Sequence, residues 1–105
     1  MAVEKDIKDL QVTVIEVIGT CPVYQKGDSF HSKNGYIINP SKSSSICLHS
    51  LSSIMPYHVA LSHGVSLHPI RLNKKNENKG YVQCLDSCKF TDGGTVVFEV
   101  EVLEW

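Results

Sequence analysis

The sequence predicts an α+β fold: a small, mostly antiparallel sheet or partly open barrel with one kinked central helix packed on it. Two observations support this prediction. Apolar side chains in residues 44–64 recur at alternating gaps of four and three, which is the spacing of one helix face. β-Branched residues in alternating positions dominate residues 10–18 and 95–105, near the two ends of the chain. A helix placed between such strands buries its apolar face against their sheet.

The composition narrows the class of protein. Of the 105 residues, 42% are hydrophobic and 20% are charged, which is typical of a single globular domain over residues 1–105. The net charge of −1 gives no general attraction to nucleic acid or to an anionic membrane. The charged N-terminus has no apolar signal segment, and no apolar run could span a bilayer. We therefore expect a cytoplasmic protein whose partner is another protein or a small molecule.

The N-terminal part is predicted to form three strands. Residues 10–18 are apolar on both faces, which favours a central strand. Simple alternation gives one face of this strand four members: Leu10, Val12, Val14 and Ile18. Residues 29–31 and 36–38 flank Asn34-Gly35, a pair typical of a β-hairpin turn.

The central helix is predicted to bury one broad stripe. Its expected members are Cys47, Leu51, Ile54, His58 and Leu61, widened by Leu48, Met55 and Val59. The serines at positions 50, 52, 53 and 62 mostly fall off this stripe. A serine at positions 43–45 is expected to cap the N-terminus, and Gly64 suits a left-handed residue after the C-terminus. Because Pro56 removes one backbone hydrogen bond, we expect a kink at residues 52–56 or two short helices.

Three further strands are predicted after the helix, at residues 67–72, 81–85 and 95–105. The last has the clearest alternation, with four residues that face the core: Val96, Phe98, Val100 and Val102. The opposite face carries Glu99, Glu101 and Glu104, which would protect an edge if this strand were outermost. Since the first and last strands are the most apolar, we expect them to be neighbours.

The cysteines are the one residue set that could carry chemistry together: Cys21, Cys47, Cys84 and Cys88. Four thiolates would complete a tetrahedral zinc site or hold an iron–sulfur cluster, so all four are candidate metal ligands. Cys88 joins the set only if residues 85–87 turn back. The other three lie at predicted element boundaries, and we expect them to converge at one end of the sheet. The alternative is that the cysteines are small buried apolar side chains, the commonest role of free cysteine.

The sequence favours a small non-catalytic binding or accessory protein, with a cysteine-bound zinc ion or iron–sulfur cluster as the candidate cofactor. The rival hypothesis is a thiol-dependent redox enzyme that uses Cys47 with Cys21 or Cys84, because a helix N-terminus stabilises a thiolate. Against this hypothesis, His49 is expected to point away from Cys47 on the helix. The sequence has no recognisable catalytic triad order, phosphate-binding loop or pair of catalytic carboxylates.

A pattern of residues also carries a resemblance. Its most specific part is Ile46-Cys47, Leu51, Ile54, Pro56-Tyr57, Ala60-Leu61 and Gly64; its supporting parts are Gly19-x-Cys21, Gly27-Asp28-x-Phe30 and Cys84 before Val97-Phe98-Glu99. On these motifs, residues 12–102 resemble a family of small prokaryotic proteins of unknown function. The chain departs from the family in having Tyr24-Gln25 where members often place Gly-His, a longer loop at 73–80 and an additional Cys88. The resemblance implies the fold and the importance of the cysteines, and it implies no reaction.

Overall fold

A computed structural model describes residues 7–35, 37–67, 71–75 and 78–103. In these residues five strands form one open antiparallel sheet: β1 (Leu10–Gly19), β2 (Ser29–Lys33), β3 (Ile37–Ile38), β4 (Lys79–Gln83) and β5 (Gly94–Val102). Their spatial order is β3-β2-β1-β5-β4. The main helix, α1 (Leu48–Ser62), packs on this sheet, and a short helix, α2 (Cys88–Thr91), precedes β5. The predicted α+β class is therefore confirmed. No helix in the described ranges combines the length and the hydropathy needed to span a membrane.

The centre of the sheet is the long antiparallel pair β1–β5, whose register runs from Leu10 opposite Val102 to Gly19 opposite Gly94. The expected pairing of the first and last strands is thus confirmed. The side chains of Leu10 and Phe98 have no exposed surface, so this pair supplies the middle of the core. Because β4 pairs with the outer side of β5, β5 is not an edge strand, and the condition under which its glutamates would protect an edge is not met.

A β-bulge in β1 changes which residues face the core. The register of β1 against β5 shifts between Val14 and Glu16, so Ile15 is an extra residue. One added residue exchanges the two faces of everything that follows it. Val17 consequently packs on the core and Ile18 is 49% exposed, whereas simple alternation had placed Ile18 inside.

The main helix begins at a cysteine cap. Its N-cap residue is Cys47, which makes no side-chain capping bond. The predicted serine cap is wrong because two of these serines bond to β2: Ser43 Oγ accepts the His31 N–H at 3.1 Å, and Ser44 Oγ accepts the Ser29 N–H at 3.3 Å. Pro56 lies within one continuous helix, so the alternative of two short helices is also wrong.

The other end of the helix follows its prediction. Gly64 has φ +88°, and two backbone bonds close the turn around it. The Gly64 N–H donates to the Leu61 carbonyl at 3.1 Å, and the Val65 N–H donates to the Ala60 carbonyl at 3.0 Å. This pair of bonds is a Schellman motif, which places the backbone at Gly64 in the left-handed region that glycine favours.

The buried face of the helix is rotated from the predicted stripe. Ile54 and Leu61 are buried as expected, but Leu48, Met55 and Val59 are between 54% and 81% exposed. Two serines predicted to lie off the stripe, Ser50 and Ser62, are fully buried. They can occupy the core because each hydroxyl donates to a carbonyl three residues earlier, at 2.7 Å and 3.0 Å respectively.

The β2–β3 hairpin and the two last predicted strands are observed, whereas the strand predicted at 67–72 lies partly outside the described residues. The β2–β3 hairpin is confirmed, although Tyr36 lies outside the described residues. The strand predicted at 81–85 is observed as β4, and the one predicted at 95–105 ends at Val102, with residues 104–105 outside the described part. Residues 68–70 of the strand predicted at 67–72 are also outside it. At the ends of that segment, the Arg71 N–H donates to the Leu67 carbonyl at 3.0 Å, which is not a strand pairing.

Candidate functional site

Three cysteines from separate parts of the chain line one cavity of about 230 Å³, which we name the thiol cavity. Cys21 follows β1, Cys47 caps α1 and Cys84 follows β4. The antiparallel registers explain the convergence, because Gly19 pairs with Gly94 and Gln83 pairs with Val97 at the same end of the sheet. The expected meeting of these cysteines at one sheet end is what the structure shows.

Cys88 takes a different position from the other three cysteines. It opens α2, so residues 85–87 do change the chain direction after Cys84. Its thiol, however, donates to the Gly93 carbonyl at 3.3 Å and lies against Gly19. Cys88 is not among the residues that line the thiol cavity.

A closed ring of three hydrogen bonds, which we name the Tyr24 ring, holds Cys47 in place. The Cys47 N–H lies 2.9 Å from Tyr24 Oη, the Tyr24 hydroxyl lies 2.8 Å from Ser50 Oγ, and Ser50 Oγ lies 2.7 Å from the Cys47 carbonyl. An amide nitrogen can only donate and a carbonyl can only accept. The Ser50 hydroxyl must therefore donate to the carbonyl, and the Tyr24 hydroxyl must donate to Ser50. Every proton in the ring is assigned by this chemistry.

Tyr24 connects Cys21 and Cys47 to the core. Its own N–H donates to Cys21 Sγ at 3.3 Å, while its hydroxyl receives the Cys47 N–H. The aromatic rings of Tyr24 and Phe98 make a T-shaped contact, with the centroids 5.3 Å apart. Burial raises the pKa of Tyr24 above the ordinary value of 10.0; the hydrogen bonds that its hydroxyl makes with Ser50 and with the Cys47 amide oppose that effect, and the nearby Cys47 and Cys21 thiols add to it. The phenol is therefore held in its neutral form at neutral pH.

The three thiols of the cavity differ in how they are engaged. Cys84 is buried, and its sulfur accepts the Val96 N–H at 3.2 Å and donates to the Gly94 carbonyl at 3.6 Å. Cys21 and Cys47 are only half-buried. All four cysteines are free. Cys21 and Cys47 are consequently the two cavity thiols best placed to meet a ligand.

Comparisons with protein-family models, with curated proteins and with solved structures give no match to this chain. The resemblance to small prokaryotic proteins stays a prediction. The candidate site accordingly rests on its own geometry.

Two further polar side chains line the thiol cavity, His49 and Asp86. His49 is exposed and borders the same cavity as Cys47, so the expectation that it points away from Cys47 stays a prediction. The Asp86 carboxylate accepts the Thr91 hydroxyl, and its carbonyl accepts the Thr95 hydroxyl at 2.6 Å, which fixes the turn before α2. Asp86 thus shapes one wall of the cavity.

Three of the four predicted metal ligands line the thiol cavity, and Cys88 does not. Within residues 7–35, 37–67, 71–75 and 78–103, no group of three or more His, Cys, Asp or Glu side chains is arranged to hold a metal ion. The four-cysteine zinc or iron–sulfur site stays a prediction, with Cys21, Cys47 and Cys84 on one cavity and Cys88 beside it.

Sequence reasoning missed Tyr24 and Ser50 as parts of this site. In the sequence Tyr24 stands out only as a departure from the family pattern, and the predicted helix stripe leaves Ser50 on the solvent-facing side. A signal for Ser50 was present, since it lies three residues after Cys47 and four before the buried Ile54. No local pattern predicts that Tyr24 crosses from a loop to that serine.

Proposed function

We propose that this protein is a small, non-catalytic binding module that takes a small ligand into the thiol cavity. The observation that carries the proposal is the convergence of three cysteines from three elements on one cavity. A volume of about 230 Å³ corresponds to about eight water molecules at the volume that each occupies in the liquid. It lies below the range of about 300–1,000 Å³ typical of drug-sized ligands. We therefore expect the ligand to be smaller than a drug-sized molecule.

The lining supports binding over catalysis. Pro22, Val23 and Val96 give the cavity an apolar wall, and the hydroxyls of Tyr24 and Ser50 are occupied by the Tyr24 ring. A catalytic nucleophile is normally hydrogen-bonded to a base, whereas the sulfurs of Cys21 and Cys84 bond to backbone groups. We place the protein in the cytoplasm, where its cysteines stay reduced, and we assign it no nucleic-acid partner.

A second candidate function, thiol-dependent redox chemistry, is favoured by one observation. His49 lines the same cavity as Cys47 and could take the proton of its thiol. Because the Cys84 thiol is engaged by the backbone, this hypothesis narrows to the pair Cys47 and Cys21. It requires a Cys21–Cys47 disulfide to form in a glutathione buffer. Mass spectrometry of the alkylated peptides detects that disulfide directly.

The binding proposal is tested by protein-observed NMR with a library of small fragments. In the natural sequence, the amide signals of Tyr24, Cys47 and Ser50 should shift together on binding. Val23→Trp places a large side chain at the partly exposed rim of the cavity and should abolish these shifts. Val65→Trp is the matched control, because Val65 is similarly exposed and does not line the cavity.

Two results would contradict binding in the thiol cavity. One is fragment-induced shifts that persist unchanged in Val23→Trp. The other is a set of shifts confined to the separate apolar cleft between α1 and the β2–β3 hairpin, which Ile37, Ile38 and Met55 line.

A further inference from the structure

The thiol cavity, whose lining also includes His49 and Asp86, offers a ligand the sulfurs of Cys21 and Cys47. Cys21 and Cys47 are half-buried and reduced, and both lie next to Tyr24. The third sulfur, on Cys84, already accepts one backbone bond and donates another. The oxygens of Tyr24 and Ser50 are turned into the Tyr24 ring. Of the three sulfurs in the lining, those of Cys21 and Cys47 are therefore the two that remain available to a ligand.

Metal ions differ in whether two thiolates alone can hold them, and this difference narrows the class of ion that the cavity could bind. Zinc in structural sites takes four protein ligands, and hard cations such as Mg²⁺ and Ca²⁺ require oxygen ligands. The described residues provide no arrangement of three or more ligating side chains. A soft monovalent ion such as Cu(I) prefers thiolates and is satisfied by two of them. The apolar wall of Pro22, Val23 and Val96 also disfavours an ion that keeps a full hydration shell.

We propose that Cys21 and Cys47 form a two-thiolate site for a soft monovalent metal ion of the Cu(I) type. This inference rests on the proposed ligand-binding function and names the class of its ligand. On binding, each thiol loses one proton to solvent and each sulfur forms one bond to the ion, so Cu⁺ and two thiols give a dithiolate complex of charge −1 and two protons. No oxidant or reductant is consumed.

The Tyr24 ring gives this site a fixed half and a movable half. Cys47 is held at the start of α1 by the ring, so its backbone is fixed before the ion arrives. Cys21 lies in the loop between β1 and β2, outside the sheet ladder, and among the described residues its sulfur accepts one hydrogen bond, from the Tyr24 N–H. Cys21 is therefore the ligand that closes on the ion.

The test is a competition titration of the reduced 105-residue chain under anaerobic conditions. Cu(I) is supplied as its coloured complex with bicinchoninate, and loss of the visible absorbance measures transfer to the protein. We expect one equivalent of Cu(I) per chain. Cys21→Ser and Cys47→Ser should each weaken binding by more than the about 10–100-fold that loss of a supporting group costs. Cys88→Ser is the matched control and should retain the full equivalent, because Cys88 does not line the cavity.

Three results would overturn the assignment: failure of the protein to withdraw Cu(I) from bicinchoninate, unchanged affinity in Cys21→Ser or Cys47→Ser, or an equal loss in Cys88→Ser. Circular dichroism of each variant separates loss of a ligand from loss of the fold. If fragments still shift the amides of the thiol cavity while Cu(I) is not bound, the metal assignment fails and the binding function stands. If neither probe binds, both fail.

Discussion

The two ends of helix α1 meet the sheet in different ways. Beneath its C-terminal half, a void of only about 10 Å³ remains between apolar residues that include Leu10, Leu61 and Leu67. That volume is at the limit of what one water molecule needs. At its N-terminus the same helix borders the thiol cavity of about 230 Å³. The apolar packing around Leu61 is therefore closed, and we call it the closed end, whereas the N-terminus of the helix borders a ligand-sized space. The separate apolar cleft toward the β2–β3 hairpin, of about 190 Å³, lies beside the closed end.

The contrast shows two ways of joining a helix to a sheet. At the closed end, apolar side chains fill the space and their burial stabilises the contact. At the thiol end, the Tyr24 ring bridges a loop and the helix cap by hydrogen bonds, so the backbone can be fixed without filling the volume. The position of Cys47 depends on polar groups, whereas the position of Leu61 depends on packing.

The largest expected effect lies in the core beneath both ends. Phe98 is fully buried on β5, and its truncation in Phe98→Ala should lower the free energy of unfolding by about 3–5 kcal/mol. Urea unfolding followed by circular dichroism measures this change. Phe90→Ala is the matched control, because Phe90 is 82% exposed and its loss should stay within about 0.5 kcal/mol. A loss below 1 kcal/mol for Phe98→Ala would contradict the described core.

An intermediate effect comes from the two fully buried serines at opposite ends of α1. Ser50→Ala leaves the Tyr24 hydroxyl without its acceptor, so we expect a loss of about 1–3 kcal/mol in the free energy of unfolding. Ser62→Ala removes a hydroxyl that donates to the Val59 carbonyl within the helix, and about 1 kcal/mol is expected. Denaturant unfolding of both variants gives the comparison. If both variants lost the same free energy of unfolding, the Tyr24 ring would contribute no additional stability at the thiol end.

The smallest effect is a pH dependence confined to the thiol end. Because burial raises the pKa of Tyr24 above 10.0, the folded protein holds the phenol proton more tightly than the unfolded chain does. This contribution to stability is complete below about pH 10 and is lost as the pH rises through the folded-state pKa. Tyr24→Phe should therefore show a shallower fall in stability above pH 10 than the natural sequence. Identical slopes in the two proteins would show that the Tyr24 phenol titrates normally.

The sequence predicted the closed end better than the thiol end. Alternation identified the buried residues Phe98, Val100 and Val102, because a strand with one core face repeats every two residues. It failed at Ile18, since a single bulge residue reverses the pattern and leaves no local signal. The meeting of three cysteines followed from their positions at element boundaries. The Tyr24 ring, which fixes Cys47, could not be predicted from the sequence, because Tyr24 and Ser50 are 26 residues apart and meet only in the fold.

The central claim is that Cys21, Cys47 and Cys84 share one cavity. It is tested most directly by the alkylation rate of each cysteine with iodoacetamide, measured by peptide mass spectrometry in the natural sequence and in Val23→Trp. The account predicts that Val23→Trp slows Cys47 and Cys84 together with its neighbour Cys21, and leaves the rate of Cys88 unchanged. Slowing of Cys21 alone, or an equal effect on all four, would contradict a shared cavity.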